Sequence, residues 1–268
     1  MEWLQYIDTS LVLIFSLVLV RVSGIVIAAP VFGGADVPMR FRALLAFALA
    51  ILMMPAHWGM VVPEPPTLVD YVLVIASELI IGLSIGLCMM IFFSCIHMAG
   101  ALIGQMGGLM AAALLDPASG EQLPMFSRFL HLLAVAVFAC LGGLRVMLSA
   151  LLDSFQTLPI ASGGFHTPLL ETIVSVLTVG FVLAFRIAAP VTLGILVAMV
   201  VMGMLSKTLP QLNLMSVGFG INNILMFFLV FVSIGAGIHC FQDRVADVME
   251  MIFEGLYTTV DRSWFNEI

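Results

Sequence analysis

Six long apolar runs leave this chain few folds to choose from: Leu11 to Pro30, Phe41 to Met54, Leu68 to Ala99, Phe129 to Leu152, Ile173 to Val201 and Leu214 to Cys240. A helix needs roughly 20 residues to cross the hydrocarbon layer of a bilayer, and each run reaches or approaches that length. The second is short and the third long, so the third must tilt, kink or extend beyond the lipid. Composition agrees: 62% of the 268 residues are hydrophobic and 9% charged. The mean hydropathy of +1.21 lies far outside the range of a water-soluble domain. The predicted class is all-α, a polytopic helical membrane protein of about six hydrophobic helices.

The formal charge of −7 comes mainly from the loops and chain ends, with Asp243, Asp247, Glu250, Glu254 and Asp261 close together. No basic patch exists to attract nucleic acid. The N-terminus carries Glu2 and Asp8 and lacks a basic leader, so the first apolar run is expected to be retained rather than cleaved. Cys88, Cys95, Cys140 and Cys240 all sit in apolar stretches without metal-ligand spacing and read as buried small hydrophobes. Arg40, Arg42, Arg128 and Lys207 fall in the first, third and fifth connections, which predicts those loops to be cytoplasmic and both termini extracytoplasmic. After Cys240, the apolar residues Phe241, Val245, Val248, Ile252, Leu256 and Val260 recur at helical spacing. That pattern predicts a C-terminal amphipathic helix, either packed on its own protein or offering a docking face.

The connection from Gly100 to Gly120, GALIGQMGGLMAAALLDPASG, is too apolar for an exposed loop. Its glycines and the Asp116-Pro117 stop make it too irregular for a plain membrane helix. Irregular backbone persists at membrane depth only when buried in protein or lining a cavity, so the segment is expected to face a pore or a binding site. Met106 and Met110, unbranched and polarizable, suit a deformable gasket there. A copper site is the weaker reading, because no His, Cys or third Met clusters with them. No metal or other cofactor is expected.

Four charges lie in or near apolar runs: Arg21, Glu78, Arg145 and Arg186. Each costs at least roughly 2.5 kcal/mol at a helix centre and needs a partner. Arg21 and Glu78 either pair within the chain or meet charges on a neighbouring subunit. Arg145 and Arg186 either do the same or snorkel to an interface. His97, His131 and His239 stand alone in sequence and read as structural. Gly82 and Gly86 form a GxxxG pair suited to close helix contact, whereas Gly100 and Gly104 lead into the glycine-rich connection, where flexibility is an equal expectation. The chain has no HExxH or Walker A sequence and no close pair of membrane carboxylates, so no enzymatic role is expected.

The order of these features resembles the FliR family of the flagellar type III export gate, whose virulence-system relative is SctT. The matching pieces are VRVSGIVIAAPVFGGADVPMRFRALLA (Val20 to Ala46), SELIIGLSIG (Ser77 to Gly86), GQMGGLMAAALLDPAS (Gly104 to Ser119), LLDSFQTLP (Leu151 to Pro159) and SKTLPQLN (Ser206 to Asn213). The resemblance implies a FliP-like portion, residues 1–162, fused to a FliQ-like helical hairpin, residues 163–268. It also implies assembly with FliP-like and FliQ-like subunits into an inner-membrane channel at the flagellar basal body. Unfolded flagellar export substrates would cross there, with FlhB-like and FlhA-like components nearby and membrane lipid around the assembly.

By the same resemblance a luminal plug maps onto Gln105, Met106, Gly107, Gly108, Leu109, Met110, Leu114, Leu115 and Asp116, with the hairpin tip at Lys207, Pro210 and Gln211. The DPAS and DSFQTLP sequences resemble the flagellar form more than the virulence form. Two other classes compete: a stand-alone secondary transporter with a broken-helix substrate site, and an assembly scaffold without a pore role.

Overall fold

The computed structural model describes residues 9–32, 37–57, 66–108, 125–161, 167–208 and 214–263. All regular structure among them is helical. The helices are α1 (Thr9–Ala28), α2 (Met39–Met53), α3 (Leu68–Met106), α4 (Met125–Cys140), α5 (Gly143–Thr157), α6 (Thr167–Thr208) and α7 (Leu214–Ser263), with a short 3-10 turn at Met54–His57. Five helices are long and apolar enough to cross a membrane, or six spans if the bent pair α4 and α5 counts as one. The chain is therefore a polytopic helical membrane protein, as its apolar runs predict.

Local chemistry sets the helix boundaries. Pro38 precedes α2 and its carbonyl accepts hydrogen bonds from the Phe41 and Arg42 amides; a proline at a helix start loses nothing, because its missing N–H would be unpaired there anyway. Thr67 begins α3: its Oγ1 accepts from the Asp70 amide at 3.2 Å and donates to Asp70 Oδ2 at 2.6 Å. That reciprocal pair is a capping arrangement read directly from TLVD. At its other end α3 runs through Gly100 and Gly104 to Met106, further than the apolar run ending at Ala99 suggests. Gly108, at φ +85°, ends it; only glycine takes this left-handed turn without strain.

The fourth apolar run, read from sequence as one span, is two helices bent by 70°. Gly142 takes φ +78°, and Leu141 and Gly142 close the last turn of α4 by donating to Val137 O and Ala139 O. The Gly142-Gly143 doublet in the sequence carried the signal. The amphipathic tail is not a separate helix either. Residues 214–263 form one helix of 50 residues, because nothing between His239 and Phe241 interrupts the backbone ladder. Its stripe Phe241, Val245, Val248 and Ile252 is buried within the chain, so packing and not docking uses those residues.

Two compact units share the helices. One comprises residues 1–91, 143–176 and 249–268, the other 92–142 and 177–248. In the first unit α1 and α3 run parallel: Ser16 Oγ and Tyr71 Oη are 2.8 Å apart, while Gly82 sits against Arg21 and Gly86 against Ile25 and Ala28. The contact is backbone to backbone. A Cβ on Gly82 would overlap the Arg21 carbonyl oxygen, and one on Gly24 would fall 2.9 Å from the Leu83 amide nitrogen. Phe15 packs edge-on against Phe47 of α2 at 5.7 Å.

In the second unit Phe92 and Phe93 of α3 meet Phe241 of α7 at 5.7 and 5.9 Å, and Phe93 meets Phe138 of α4 at 5.4 Å. Gly100 abuts Ser127 of α4, Gly180 of α6 abuts Cys95, and Gly194 of α6 abuts Leu229 of α7. The pairings Gly194 with Leu229 and Met202 with Gly218 run in opposite directions along the sequence, so α6 and α7 form an antiparallel hairpin here.

Replacing Gly82 with alanine should destabilise the protein by about 1 to 3 kcal/mol through overpacking. Gly235, with nothing within 4 Å of the place a methyl group would take, should accept alanine with no loss. Thermal unfolding of the two variants in mild detergent checks the contrast: equal melting temperatures would contradict the close α1 to α3 contact.

Candidate functional site

The strongest polar feature among the described residues is a buried charge network in the first unit. Arg21 of α1 and Glu78 of α3 are 0% and 1% exposed, and Arg21 Nε donates to Glu78 Oε2 at 2.5 Å. Helical spacing carries Glu78 into the apolar interior, four residues before Gly82. The close α1 to α3 approach at Gly82 is what brings Arg21 within reach. The guanidinium then continues to the end of α5, where Nη1 donates to the carbonyls of Ser154 and Leu158, each at 2.9 Å. Those carbonyls lie at the helix end, on the negative side of the helix dipole, and the Ser154 carbonyl also accepts from the Leu158 amide at 3.0 Å. The Phe155 ring lies 4.3 Å from the guanidinium carbon, in cation-π range.

The second carboxylate oxygen is closed by backbone. Ala161 donates its N–H to Glu78 Oε1 at 3.0 Å and adopts φ +65°, a left-handed conformation. That conformation costs an alanine roughly 1 to 2 kcal/mol. The hydrogen bond to a buried carboxylate offsets it, since charge-assisted bonds exceed neutral ones by about twofold. Of the two pairings open from sequence, the intrachain one is realised. Ser154, Leu158 and Ala161 were missed as members, because backbone carbonyls and amides leave no mark in side-chain chemistry. The network is closed largely by protein groups, so it is suited to holding helices together rather than to binding cargo.

Other expected site residues are dispersed. Arg145 on α5 and Arg186 on α6 are exposed. Lys207 is exposed in the last turn of α6, while Pro210 and Gln211 lie outside the described residues. Of the plug segment, Gln105 is exposed and Met106 half-buried at the end of α3. Gly107 is buried: a Cβ there would overlap the Met226 sulfur of α7, so close packing requires this glycine. Gly108 makes the turn described above. Leu109, Met110, Leu114, Leu115 and Asp116 lie outside the described residues.

The histidines correct the sequence reading, which took them as isolated. The His97 and His131 rings of α3 and α4 are 6.1 Å apart, and His97 Nε2 is 3.3 Å from Ser127 Oγ. The Gly100 to Ser127 contact brings the two helices this close. Among the described residues no group of three His, Cys, Asp or Glu side chains could hold a metal ion.

Residues 12–248 match the family model for bacterial export proteins, family 1. This chain belongs to that family. The matched region contains the whole Arg21 and Glu78 network and most of α7. Among similar proteins, the "Flagellar biosynthetic protein FliR" of Pectobacterium carotovorum subsp. carotovorum is 31% identical over 202 residues, 75% of this chain and 77% of that protein. The protein of the same name from Bacillus subtilis (strain 168) is 27% identical over 224 residues, 81% and 85% of the two chains. The "Surface presentation of antigens protein SpaR" of Shigella flexneri is 29% identical over a shorter stretch of 156 residues, 58% and 60%.

In this member of the export family, removing one partner of the network strands the other. Arg21→Leu and Glu78→Leu should each destabilise by about 3 to 5 kcal/mol, and the double replacement by less than their sum. A double-mutant cycle of detergent unfolding measures the coupling; additive losses would show that the two side chains do not hold each other.

Proposed function

We propose that the chain is a FliR-like subunit of the flagellar type III export gate in the bacterial inner membrane. The observation that carries the reading is the family match across residues 12–248, together with curated FliR relatives aligned over most of their own length. The SpaR relatives align over a smaller share, which favours the flagellar system over the virulence one. In this reading residues 1–162 form the FliP-like portion and residues 163–268 the FliQ-like hairpin. The partners are FliP-like and FliQ-like subunits, with FlhB-like and FlhA-like components on the cytoplasmic side near Lys207, Pro210 and Gln211. The cargo is unfolded flagellar protein.

Surface chemistry supports an assembled rather than solitary chain. Large apolar side chains stand exposed along α2, α6 and α7, among them Phe41, Leu52, Phe185, Leu193, Ile224 and Phe231 at 61 to 80%. Apolar surface on this scale marks contact with lipid or with other subunits. The plug completes the proposal: Gln105 to Asp116 lies across the lumen, with Met106, Leu109, Met110, Leu114 and Leu115 sealing it by apolar contact. The seal is anchored at its start, where Gly107 packs on Met226 and Gly108 turns the chain out of α3.

Two experiments test this. The full-length chain purified from native membranes in mild detergent should bring FliP-like and FliQ-like chains in fixed ratio; a stable solitary chain that moves a solute in liposomes would refute the gate. Deleting Leu109 to Leu114, which spares the Gly107 and Gly108 anchor, should make the assembled gate leak ions, read as membrane depolarisation. An unaltered leak with intact assembly would remove the plug from the proposal.

A further inference from the structure

We infer that Arg186 docks against a membrane helix of a second polypeptide that presents an aspartate or glutamate to it. Arg186 sits near the middle of the apolar span Leu170–Leu205 of α6, a stretch of 36 residues, with its side chain exposed. Its guanidinium makes no ion pair among the described residues. α6 offers only one acid, Glu171, 15 residues earlier. The exposed face around Arg186 is mainly apolar: Val182, Leu193, Val197 and Met204 fall on the same side at helical spacing and are 43, 62, 61 and 68% exposed, with Ser175 the nearest exposed polar side chain on that side.

A second feature coincides with the charge. Pro190 lies inside α6, four residues after Arg186. In an α-helix the N–H of residue 190 would bond the carbonyl of residue 186, and proline has no N–H to give. The same residue therefore offers a cation and a carbonyl that has lost its α-helical donor, both in the middle of an apolar helix. A partner side chain with a carboxylate, flanked by a hydroxyl or amide donor, answers both groups.

Helix length decides between a protein and a lipid occupant. A 36-residue helix is about 54 Å long and the hydrocarbon layer about 30 Å thick. Fitting all of it into lipid takes a tilt of about 56°, beyond the observed range of 0 to 40°. A placement centred on Arg186 leaves the charge in hydrocarbon, too far from either interface to snorkel. A placement that moves Arg186 to an interface leaves the apolar half on its other side outside the lipid. Each placement requires protein on α6. Acidic side chains at membrane depth pair with cations as a rule, so the covering helix supplies the missing charge. The contact is independent of what the assembly transports.

A photoreactive amino acid at Val182 or Leu193 of the full-length chain, activated in native membranes, tests this. The cross-linked peptide, identified by mass spectrometry, should come from another polypeptide and contain Asp or Glu within one helical turn of the link. Arg186→Leu should then lower co-purification of that same polypeptide at least tenfold, Arg186→Lys should retain it, and Arg186→Glu should be restored by exchanging the partner's acid for arginine. If Arg186→Leu fails to fold by circular dichroism, the charge exchange decides. Cross-links to phospholipid alone, to a segment without an acid, or wild-type recovery with Arg186→Leu would overturn the inference. A cross-linked acidic helix that belongs to no FliP-like or FliQ-like chain would uphold this contact while sinking the proposed export assembly.

Discussion

A buried arginine and glutamate set the terms for the first unit. Arg21 and Glu78 are separated by 57 residues in sequence, and Arg21 reaches carbonyls 133 and 137 residues away. Burying a charge costs several kcal/mol unless its hydrogen-bonding capacity is answered. Here most of the answer comes from each other and from backbone, two carbonyls at the end of α5 and one amide from a left-handed alanine, while Arg21 Nη2 stays buried without a hydrogen-bond partner among the described residues. This couples the positions of three helices. α1 must lie against α3 closely enough for the ion pair, and α5 must end where the Ser154 and Leu158 carbonyls face the guanidinium.

Glycine makes the close approach possible, and its uses differ from place to place. At Gly82 the missing side chain lets the backbone of α1 touch that of α3, which places Arg21 beside Glu78. At Gly142 the backbone itself needs glycine, because a left-handed residue separates α4 from α5. The adjacent pair Gly107 and Gly108 divides both roles, the first packing under Met226 and the second ending α3. A glycine count would treat these as equivalent sources of flexibility. Contacts make Gly82 and Gly107 fixed packing points.

Much of the architecture was legible in the chain. Long apolar runs gave the helical membrane class, the run from Leu68 gave the start of α3, and the Gly82 and Gly86 pair gave a close helix contact. The missed details have physical reasons. Hydropathy averages over a window, so a single left-handed glycine at 142 vanished inside an apolar run. The tail was set apart from the sixth run only by a change in polarity, which does not interrupt a backbone ladder. His97 and His131 looked solitary because ring proximity depends on how α3 crosses α4 at Gly100 and Ser127. Of the candidate plug, only the anchoring end, Gln105 to Gly108, lies among the described residues.

By itself the sequence determined that the chain lives in a membrane as helices, because lipid leaves unpaired backbone no other recourse. It also determined that Arg21 and Glu78 needed partners, since charge in an apolar run is too costly to stand alone. Tertiary structure decided which partners those were. Pairing depends on crossing points, helix ends and one strained alanine, all of them backbone geometry that side-chain identity does not encode locally. It likewise decided that Arg186, of the same charge as Arg21, faces outward from α6: the difference between a cation that braces the fold and one left on the surface is where its helix packs.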